Sequence, residues 1–309
     1  MSTVSGPAVV VAVVSFETCE LLHRCLASLF RETAEVWVVD NGSTDGSAEM
    51  VRREHPWVRL IEADRNLGFG AAVNLVARRT SSPWLAASNA DVRLEPGALD
   101  ALIAAAEADP RAGALAPRLV LPDGRTQHSV HPFPTLPLTA AFNLGLPRVV
   151  PDLGDRLCLE GHWDAGRARR VPWAVGAFLL LRRSAWDEVG GFDEQQWMYA
   201  EDLDLGWRLH RAGWATRYVP QAVVHHDESA ATAAAWGDER VERWNAATYE
   251  WLRRRRGRLR ARATAALNVA GAAARAAWMA PLARVRPYPW AHRRAAAARW
   301  AQLHRAGLR

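Results

Sequence analysis

Apolar residues follow two alternating spacings in the first half of the chain. Residues 9–16 form a β-branched run typical of a buried strand, and from Leu21 to Leu29 apolar residues recur at helical spacing. Another β-branched run, 36–39, ends on Asp40. Strands that alternate with amphipathic helices predict an α/β fold, with a mainly parallel sheet flanked by helices.

Polar residues stand where the predicted strands end. The pattern continues with strands at 58–61 and 84–88, separated by a helix at 70–79. The residues at the three strand ends are Phe16-Glu17, Asp40-Asn41 and Asn89-Ala90-Asp91. Ligands of open α/β sheets bind at the carboxyl ends of the strands, so we expect these side chains to converge on one crevice.

The middle of the chain has a less regular pattern. We predict a helix at 96–108, extended chain at 114–121 and 171–181, a helix at 201–211 and a last strand at 219–225. Residues 131–151 contain five prolines, which predicts an irregular loop over the site.

Composition narrows the class of protein. The chain has 309 residues and is 50% hydrophobic, enough for a sizeable core. Its three cysteines are odd in number and lack CxxC spacing, which argues against a disulfide framework or a zinc cluster. The first seven residues do not resemble a signal peptide, so we expect the chain to begin in the cytosol.

Charge divides the chain into two regions. Residues 251–309 contain fifteen arginines and no acidic residue, so they carry +15 and the remainder carries −9 of the net +6. We therefore predict a catalytic domain at 1–235 and a basic helical tail at 236–309. Asn268 and Arg275 interrupt an alanine-rich stretch, which argues against a transmembrane helix. Arginines and tryptophans favour an anionic membrane surface, with a solvated extension or a dimer contact as alternatives.

Three segments could bind a nucleotide diphosphate and its metal ion. A carboxylate such as Asp91, after a strand, can hold a divalent cation, although an aspartate there more often forms a turn or a helix cap. Asp40 precedes a glycine-rich turn, which could be no more than a capped β-α turn. Arg65 and the glycines after it suit close approach to a diphosphate, or simply a loop into a helix.

A carboxylate pair in the second half could supply a general base. Glu201 and Asp202 open a predicted helix, where acidic residues also favour the helix dipole. Single displacement at an anomeric carbon needs one carboxylate to deprotonate the acceptor hydroxyl. His225 and His226 follow a strand, where a histidine is most often structural, but a neutral imidazole beside Asp91 could complete a metal site.

The order of these motifs closely resembles family 2 glycosyltransferases of the GT-A fold, from about residue 9 to residue 229. The motifs are Val39-Asp-Asn-Gly-Ser-Thr-Asp-Gly, Asn66-Leu-Gly-Phe-Gly, Asn89-Ala-Asp, Gly176-Ala-Phe-Leu-Leu-Leu-Arg-Arg-Ser, Gly190-Gly-Phe-Asp-Glu, Tyr199-Ala-Glu-Asp-Leu-Asp-Leu-Gly-Trp-Arg and Val224-His-His. The resemblance implies a Rossmann-like GT-A domain with a basic helical C-terminal extension, and inverting transfer from a nucleotide sugar.

The resemblance also implies roles for particular residues. Asp91 would bind a divalent metal, Mg²⁺ or Mn²⁺, with help from His225. Asp202, beside Glu201, would be the catalytic base, and Asp40 would hold the base or ribose of the nucleotide. The predicted donor-binding residues are Phe16, Glu17, Asp40, Asn41, Arg65, Asn66, Gly68, Asn89 and Asp91. On the acceptor side we predict Trp173 and Gly176.

Within the family, two further motifs and the basic tail are similar to the actinobacterial rhamnosyltransferases that extend N-acetylglucosaminyl-diphospho-polyprenol. The motifs are Arg111-Ala-Gly-Ala-Leu-Ala-Pro and Pro122-Asp-Gly-Arg. This implies dTDP-L-rhamnose as donor, a lipid-linked or cell-envelope acceptor, and a cytoplasmic enzyme peripheral to the inner face of the membrane, with a homodimer possible. The chain departs from the family pattern at Glu17, where many members have Asn, and at Asn89, which replaces the first Asp of Asp-x-Asp.

Other functions stay open at this point. A family 2 transferase with another nucleotide sugar and acceptor has the same motifs, and an inactive sugar-nucleotide-binding scaffold would lack Asp91 or Asp202, both of which are present. A nucleic-acid binder should be basic throughout, whereas the part of this chain before residue 251 carries −9, so we expect no nucleic-acid partner.

Overall fold

The computed structural model of the protein describes residues 8–227 and 239–309. The described residues form two compact units. The first comprises the chain up to Phe133 and again from Asp164 to Asp227, and the second comprises Pro134–Trp163 and residues 239–309. The domain boundary predicted after residue 235, and the end of the family resemblance near residue 229, lie outside the described residues.

Every strand and helix predicted up to residue 89 is present, within two residues at each end. The elements are β1 (Val9–Ser15), α1 (Cys19–Leu29), β2 (Glu35–Asp40), α2 (Ser47–Glu54), β3 (Arg59–Glu62), α3 (Phe69–Ala77) and β4 (Trp84–Asn89). The helix α2 was not predicted. The other elements follow the apolar spacing of the sequence, and the buried residues of β1 pack in one core with those of α1.

The remaining elements range from two-residue strands to a helix of 28 residues. In chain order they are β5 (Val92–Leu94), α4 (Ala98–Glu107), β6 (Ala112–Val120), β7 (Val130–His131), α5 (Leu136–Asn143), α6 (Leu146–Val149), α7 (Pro151–Arg156), β8 (Arg169–Val171), β9 (Trp173–Ala174), β10 (Phe178–Arg182), α8 (Arg183–Val189), α9 (Glu201–Arg211), β11 (Ala215–His226), α10 (Arg240–Arg256), α11 (Arg258–Val285), α12 (Pro287–His304) and a final 3₁₀ turn (Arg305–Leu308).

The first unit is built on one large mixed sheet. Its strands run in the order β3-β2-β1-β4-β10-β6-β11-β5, with β8 paired to β11. The first four are mutually parallel, whereas β10 is antiparallel to both of its neighbours. Val11 and Val13 in β1 are fully buried and pack in one core with Leu22 and Leu26 of α1. This arrangement is the predicted α/β sheet flanked by helices.

The segment 131–151 is not an irregular loop, and that prediction was wrong. It begins in β7 and continues into α5 and α6 of the second unit. The Thr135 hydroxyl accepts a hydrogen bond from the Leu138 amide at the start of α5. Pro137, Pro147 and Pro151 all stand in the first two positions of a helix, where the missing N–H has no intrahelical partner in any case. These prolines therefore begin helices rather than interrupt them.

The extended run predicted at 171–181 is divided among three strands. β8 and β10 join the large sheet, but β9 pairs with β7 in a separate two-stranded sheet. Pro172 lacks the N–H that a continuous ladder requires. The amide of Gly176 donates to a side chain, Asp202, instead of to a neighbouring strand. A continuous apolar run is thus compatible with several short strands.

The second unit is helical. Asn143 in α5 donates to Oδ1 of Asn268 in α11 over 2.8 Å, and a Cβ added at Gly271 would lie 2.2 Å from Oδ1 of Asn143. This close contact explains why 134–163 belongs with the C-terminal helices. Over the described ranges, no helix is both long enough and apolar enough to cross a membrane.

Candidate active site

The ends of β1, β2 and β4 lie at one edge of the sheet. Ser15 pairs with Asp40, and Val14 pairs with Asn89, in parallel register. The Asn41 amide extends this row, because it donates to the carbonyl of Ser15 over 2.8 Å. Parallel neighbours with this register bring the polar residues that follow each strand into one crevice, as the sequence pattern predicts.

Asp40 is a buried carboxylate with one oxygen unused. Its side chain is 3% exposed, and Oδ2 accepts a hydrogen bond from the Ser43 amide over 3.0 Å. Within the described part of the chain, Oδ1 has no hydrogen-bond partner. A buried acceptor without a donor costs free energy, so this oxygen is suited to accept a hydrogen bond from a ligand. The neighbouring Asn41 is also buried.

Glu17 connects the loop after β1 to the glycine-rich turn after β2. Its carboxylate accepts hydrogen bonds from the amide and the hydroxyl of Thr44, at 2.8 and 3.1 Å. Its own amide donates to the Ser43 hydroxyl. The residue therefore holds two loops of the crevice together, next to Phe16, which is 38% exposed.

The loop after β3 makes close contacts that require glycine. Gly68 has a φ of +84°, and a Cβ there would lie 2.5 Å from the carbonyl oxygen of Trp197. The side-chain oxygen of Asn66 accepts a hydrogen bond from the Gly68 amide. Arg65 is exposed, and its Cα lies 3.3 Å from where a Cβ of Gly42 would stand. Sequence analysis did not select Trp197, which is 45% exposed beside this loop.

Asn74 is a further residue that sequence analysis did not select. Its amide nitrogen donates to the carbonyl of Phe192 over 2.9 Å, and its oxygen accepts from the Phe192 amide over 3.0 Å. A Cβ at Gly70 would lie only 2.8 Å from Cβ of Phe192. Asn74 thus joins α3 to the Gly190-Gly-Phe-Asp-Glu motif. Asn74 could have been identified from the sequence, because it is a polar residue on the buried face of a predicted apolar helix.

Asp91 faces a histidine across a short gap. Oδ1 of Asp91 lies 3.3 Å from Nε2 of His226, and both side chains are at least nine-tenths buried. Nδ1 of His226 lies 2.8 Å from Oε1 of Gln127. An oxygen at Gln127 requires the proton on Nδ1, so in the neutral ring Nε2 presents a lone pair to Asp91. Asp91 Oδ1 makes no hydrogen bond with any described residue.

The histidine expected beside Asp91 was His225, and the structure places it elsewhere. Nε2 of His225 lies 3.0 Å from Oε1 of Glu95. Successive side chains of a strand point to opposite faces, so His225 and His226 cannot both reach Asp91. In the ladder between β11 and β5, His226 is paired with Val92, the residue after Asp91. The contact therefore falls one residue later than predicted.

The pair formed by Asp91 and His226 fits a divalent metal. Two hydrogen-bond acceptors that face each other at 3.3 Å repel unless a cation or a proton lies between them. Among the described residues there is no group of three or more histidine, cysteine or acidic side chains that could hold a metal ion. Mg²⁺ is commonly bound through one or two protein carboxylates together with substrate phosphates, so a two-residue site is sufficient.

The carboxylates of Glu201 and Asp202 have perturbed pKa values. Burial raises the pKa of Asp202 above its ordinary value, although hydrogen bonds from the amides of Gly176 and Leu203 partly oppose the rise. Burial, and then the charge of Asp202, raise the pKa of Glu201. Such a pair shares its protons, so Glu201 favours the neutral form while Asp202 is ionised.

A short backbone path joins Asp202 to the edge of the sheet that carries Asp91. The Gly176 amide donates to Oδ2 of Asp202 over 3.1 Å. The next residue, Ala177, accepts a hydrogen bond from the Asn89 amide over 2.9 Å. Asp202 is therefore connected, through two adjacent backbone groups, to the strand end that precedes Asp91.

The two residues predicted on the acceptor side have distinct positions. Gly176 positions Asp202, as described. Trp173 is 5% exposed, its indole nitrogen donates to the carbonyl of Pro132, and its ring stacks on His131 at 4.8 Å. The buried indole has little surface to offer a ligand.

Comparisons with known proteins identify the family of the chain. The model described as "Glycosyl transferase family 2" matches residues 10–153, and "Glycosyl transferase family group 2" matches residues 155–302. A Mycobacterium tuberculosis protein, N-acetylglucosaminyl-diphospho-decaprenol L-rhamnosyltransferase, is 39% identical over 240 residues, which are 72% of this chain and 76% of the relative. The chain belongs to glycosyltransferase family 2, and it is a glycosyltransferase.

Solved structures support the GT-A fold. The mannosyltransferase PcManGT from Pyrobaculum calidifontis, in complex with GDP-Man and Mn²⁺, superimposes with a TM-score of 0.60 at 20% identity, over 98% of this chain and 86% of that one. GalNAc-T7 with UDP, GalNAc and Mn²⁺ gives a TM-score of 0.53 at 15% identity, over 72% and 44% of the two chains. At these identities the likeness concerns the fold.

Proposed function

We propose that this glycosyltransferase transfers L-rhamnose from dTDP-L-rhamnose to a lipid-linked acceptor that carries a terminal N-acetylglucosaminyl diphosphate. The 39% identity to the mycobacterial L-rhamnosyltransferase is the observation that carries the choice of substrates. Three features of the crevice support such a transfer: the unused carboxylate oxygen of Asp40, the facing pair Asp91 and His226, and the carboxylate of Asp202.

The donor is held at the ends of the parallel strands. Asp40, with its unused Oδ1, accepts a hydrogen bond from the nucleobase or the ribose. Asn41, Asn66 and the Gly68 turn line the approach to the diphosphate, with Arg65 as its exposed cation. Positively charged side chains and glycine-rich turns favour phosphate because they present charge and free backbone close to it.

Asp91 and His226 hold the divalent metal, Mg²⁺ or Mn²⁺. The Mn²⁺ named with both similar structures supports metal use. When bound, such an ion neutralises the charge that develops on the departing diphosphate. Gln127 keeps the His226 ring in the required tautomer through the 2.8 Å contact with Nδ1.

Asp202 is the general base of a single displacement. It takes the proton of the acceptor hydroxyl while that oxygen bonds to the anomeric carbon and the bond from the same carbon to the diphosphate breaks. Gly176 and Leu203 hold the carboxylate in place. Because no second nucleophile is required, the configuration inverts and a β-linked donor gives an α-linked product.

The enzyme works as a peripheral protein on an anionic membrane surface, at the cytoplasmic face. Fifteen arginines without an acidic residue in 251–309 supply the attraction to anionic headgroups. The second unit also exposes several large apolar side chains, namely Phe142, Leu144, Leu146, Val149, Trp278 and Tyr288. Apolar side chains beside arginines suit the boundary between headgroups and acyl chains.

A donor panel tests the proposal. The purified enzyme is incubated with a short-chain N-acetylglucosaminyl diphospholipid and each of several nucleotide sugars, and products are detected by mass spectrometry. We expect a deoxyhexose adduct from dTDP-L-rhamnose and little product from UDP- or GDP-sugars. Efficient transfer from one of those other donors, with none from dTDP-L-rhamnose, would contradict the choice of donor but not the family.

A further inference from the structure

The second unit contains a cavity walled almost entirely by arginine. It has a volume of about 480 Å³ and is lined by Arg253, Arg258, Arg262, Ala306 and Arg309. This volume is typical of sites that bind small molecules. The cavity is open to solvent, and much of its surface is the aliphatic part of the arginine side chains, whose guanidinium groups supply hydrogen-bond donors and positive charge.

Buried contacts hold the walls of this cavity in place. The Tyr249 hydroxyl lies 2.7 Å from Nδ1 of His304, and Asn268 donates to the same hydroxyl over 3.3 Å. A Cβ at Gly307 would lie 2.4 Å from the Tyr249 ring, so the final turn fits closely against α10. Burial, and then Arg275, lower the pKa of His304 to about 4. These contacts fix the backbone that carries the lining residues, and His304 stays neutral at physiological pH.

Only one of the four cavity arginines forms an ion pair with a carboxylate of the described chain. Arg253 is paired with Glu250 over 2.8 Å. No carboxylate of the described chain forms an ion pair with Arg258, Arg262 or Arg309. Arg258, Arg262 and Arg309 are exposed, so solvent and salt screen much of their mutual repulsion, and a multiply charged anion bound among them would offset the remainder.

Two of these arginines also occupy positions on α11 that destabilise the helix when no anion is bound. Arg258 and Arg262 are four residues apart, so they lie on the same face of the helix as a like-charge pair. Both lie at the helix N-terminal end, where the macrodipole disfavours cations, and no acidic residue stands in the first turn. An arrangement that breaks several stability rules at one place indicates a function.

We propose that this cavity binds a diphosphate or a similar phosphate group with two or more negative charges. Planar guanidinium groups bind phosphate oxygens through paired hydrogen bonds, and a cavity with four of them favours a multiply charged anion over a single carboxylate. The group could belong to a phosphorylated lipid headgroup or to a soluble diphosphate. This site goes beyond the proposed sugar transfer, which does not require it.

Isothermal titration calorimetry with inorganic diphosphate tests the site in the full-length protein. EDTA is included, so that no metal–diphosphate complex forms at Asp91. The variant R258Q/R262Q removes two cavity arginines, and R294Q/R299Q removes two exposed arginines of α12 as a charge-matched control. We expect the first variant to bind diphosphate at least about tenfold more weakly, and the control to bind within about twofold of the parent.

Further measurements separate the outcomes. R309Q removes a cavity arginine that lies outside any helix, and it should also weaken diphosphate binding. This variant keeps the test usable if R258Q/R262Q fails to fold. Vesicles that contain phosphatidic acid show where the bound phosphate group comes from. If excess inorganic diphosphate displaces the protein from the vesicles, the ligand is a lipid headgroup. If the protein stays on the vesicles, the ligand is a soluble diphosphate. No diphosphate binding by the parent, or equal weakening in both double variants, would overturn the proposal. Sugar transfer to a soluble acceptor, measured in parallel, reports independently on the proposed function.

Discussion

The first unit keeps its important charges at the ends of buried strands and at a helix terminus, whereas the second displays its charges along long helices. Asp40 and Asp91 are buried, each with one carboxylate oxygen lacking a hydrogen bond among the described residues. From residue 251 onward, every charged side chain is an arginine. A few buried, individually positioned carboxylates suit one small substrate. Many surface arginines act collectively and suit an extended anionic partner.

This difference predicts a division of labour between the units. Substitutions at the strand ends should change turnover with any acceptor, whether soluble or in a membrane. Substitutions on the surface of the second unit should change binding to anionic vesicles and leave turnover on a short soluble acceptor intact. Each prediction below tests one side of this comparison.

The largest effect is expected for D202N. The asparagine keeps the shape of the side chain but cannot accept the proton of the acceptor hydroxyl, so kcat should fall by about 10²-fold or more while donor affinity is retained. Steady-state kinetics and donor titration measure the two effects. D100N, the same change on the exposed face of α4, is the matched control and should leave kcat and donor affinity unchanged. Normal turnover of D202N would exclude Asp202 as the base.

The metal site offers a comparison between neighbouring histidines. H226Q removes the imidazole that faces Asp91, so the affinity for Mn²⁺ should fall by about 10- to 100-fold, and D91N should weaken it further. H225Q is the control, because His225 contacts Glu95 instead. Mn²⁺ titration of activity and of donor binding gives both constants. A larger loss in H225Q than in H226Q would mean that the original prediction was right.

On the other side of the comparison, the exposed apolar residues of the second unit should govern vesicle binding. Leu144 and Val149 are 76% and 73% exposed. L144S/V149S should weaken binding to anionic vesicles by about tenfold or more, since half-burial of each side chain among the acyl chains contributes roughly 0.75 kcal/mol, or about 1.5 kcal/mol for the two. F30S, at a residue 66% exposed in the first unit, is the control. Flotation assays measure the binding, and equal loss in both variants would contradict the assignment.

A smaller effect should appear in the pH dependence of kcat/KM. Burial raises the pKa of Asp202 in the free enzyme above the ordinary aspartate value of about 3.9. The base works only when ionised, so activity is full above the raised pKa and falls about tenfold per pH unit below it. The acid limb of the profile should therefore lie above pH of about 4 and disappear in D202N. A limb that persists unchanged in D202N must come from another group.

The sequence predicts the first unit better than the second for a physical reason. Up to residue 89, short strands alternate with helices, and the core residues of β1 and α1 recur at the spacing of their own element, so local periodicity indicates the type of element. In 131–151 the same reading failed, because prolines in the first turn of a helix cannot be distinguished by composition from prolines in a loop. The run at 171–181 was divided by Pro172 and by the Gly176 contact with Asp202, which is a tertiary contact.

The site residues that could be predicted from the sequence are the polar residues at the ends of the strands. The polar residues after β1, β2 and β4 fall at one edge because parallel strands require it. His225 was chosen over His226 because the sequence does not reveal which face of β11 meets Asp91. Asn74, Gln127 and Trp197 act through partners distant in the chain, and periodicity carries no information about those partners.

The configuration of the product tests most directly whether one carboxylate, that of Asp202, drives a single displacement. Proton NMR of the disaccharide formed from dTDP-β-L-rhamnose reports the anomeric linkage directly. We expect an α-linked rhamnose, because the acceptor hydroxyl, deprotonated by Asp202, attacks opposite the leaving diphosphate. A β-linked product would require a second nucleophile on the donor side and would contradict the assignment of Asp202 as the base of a single displacement.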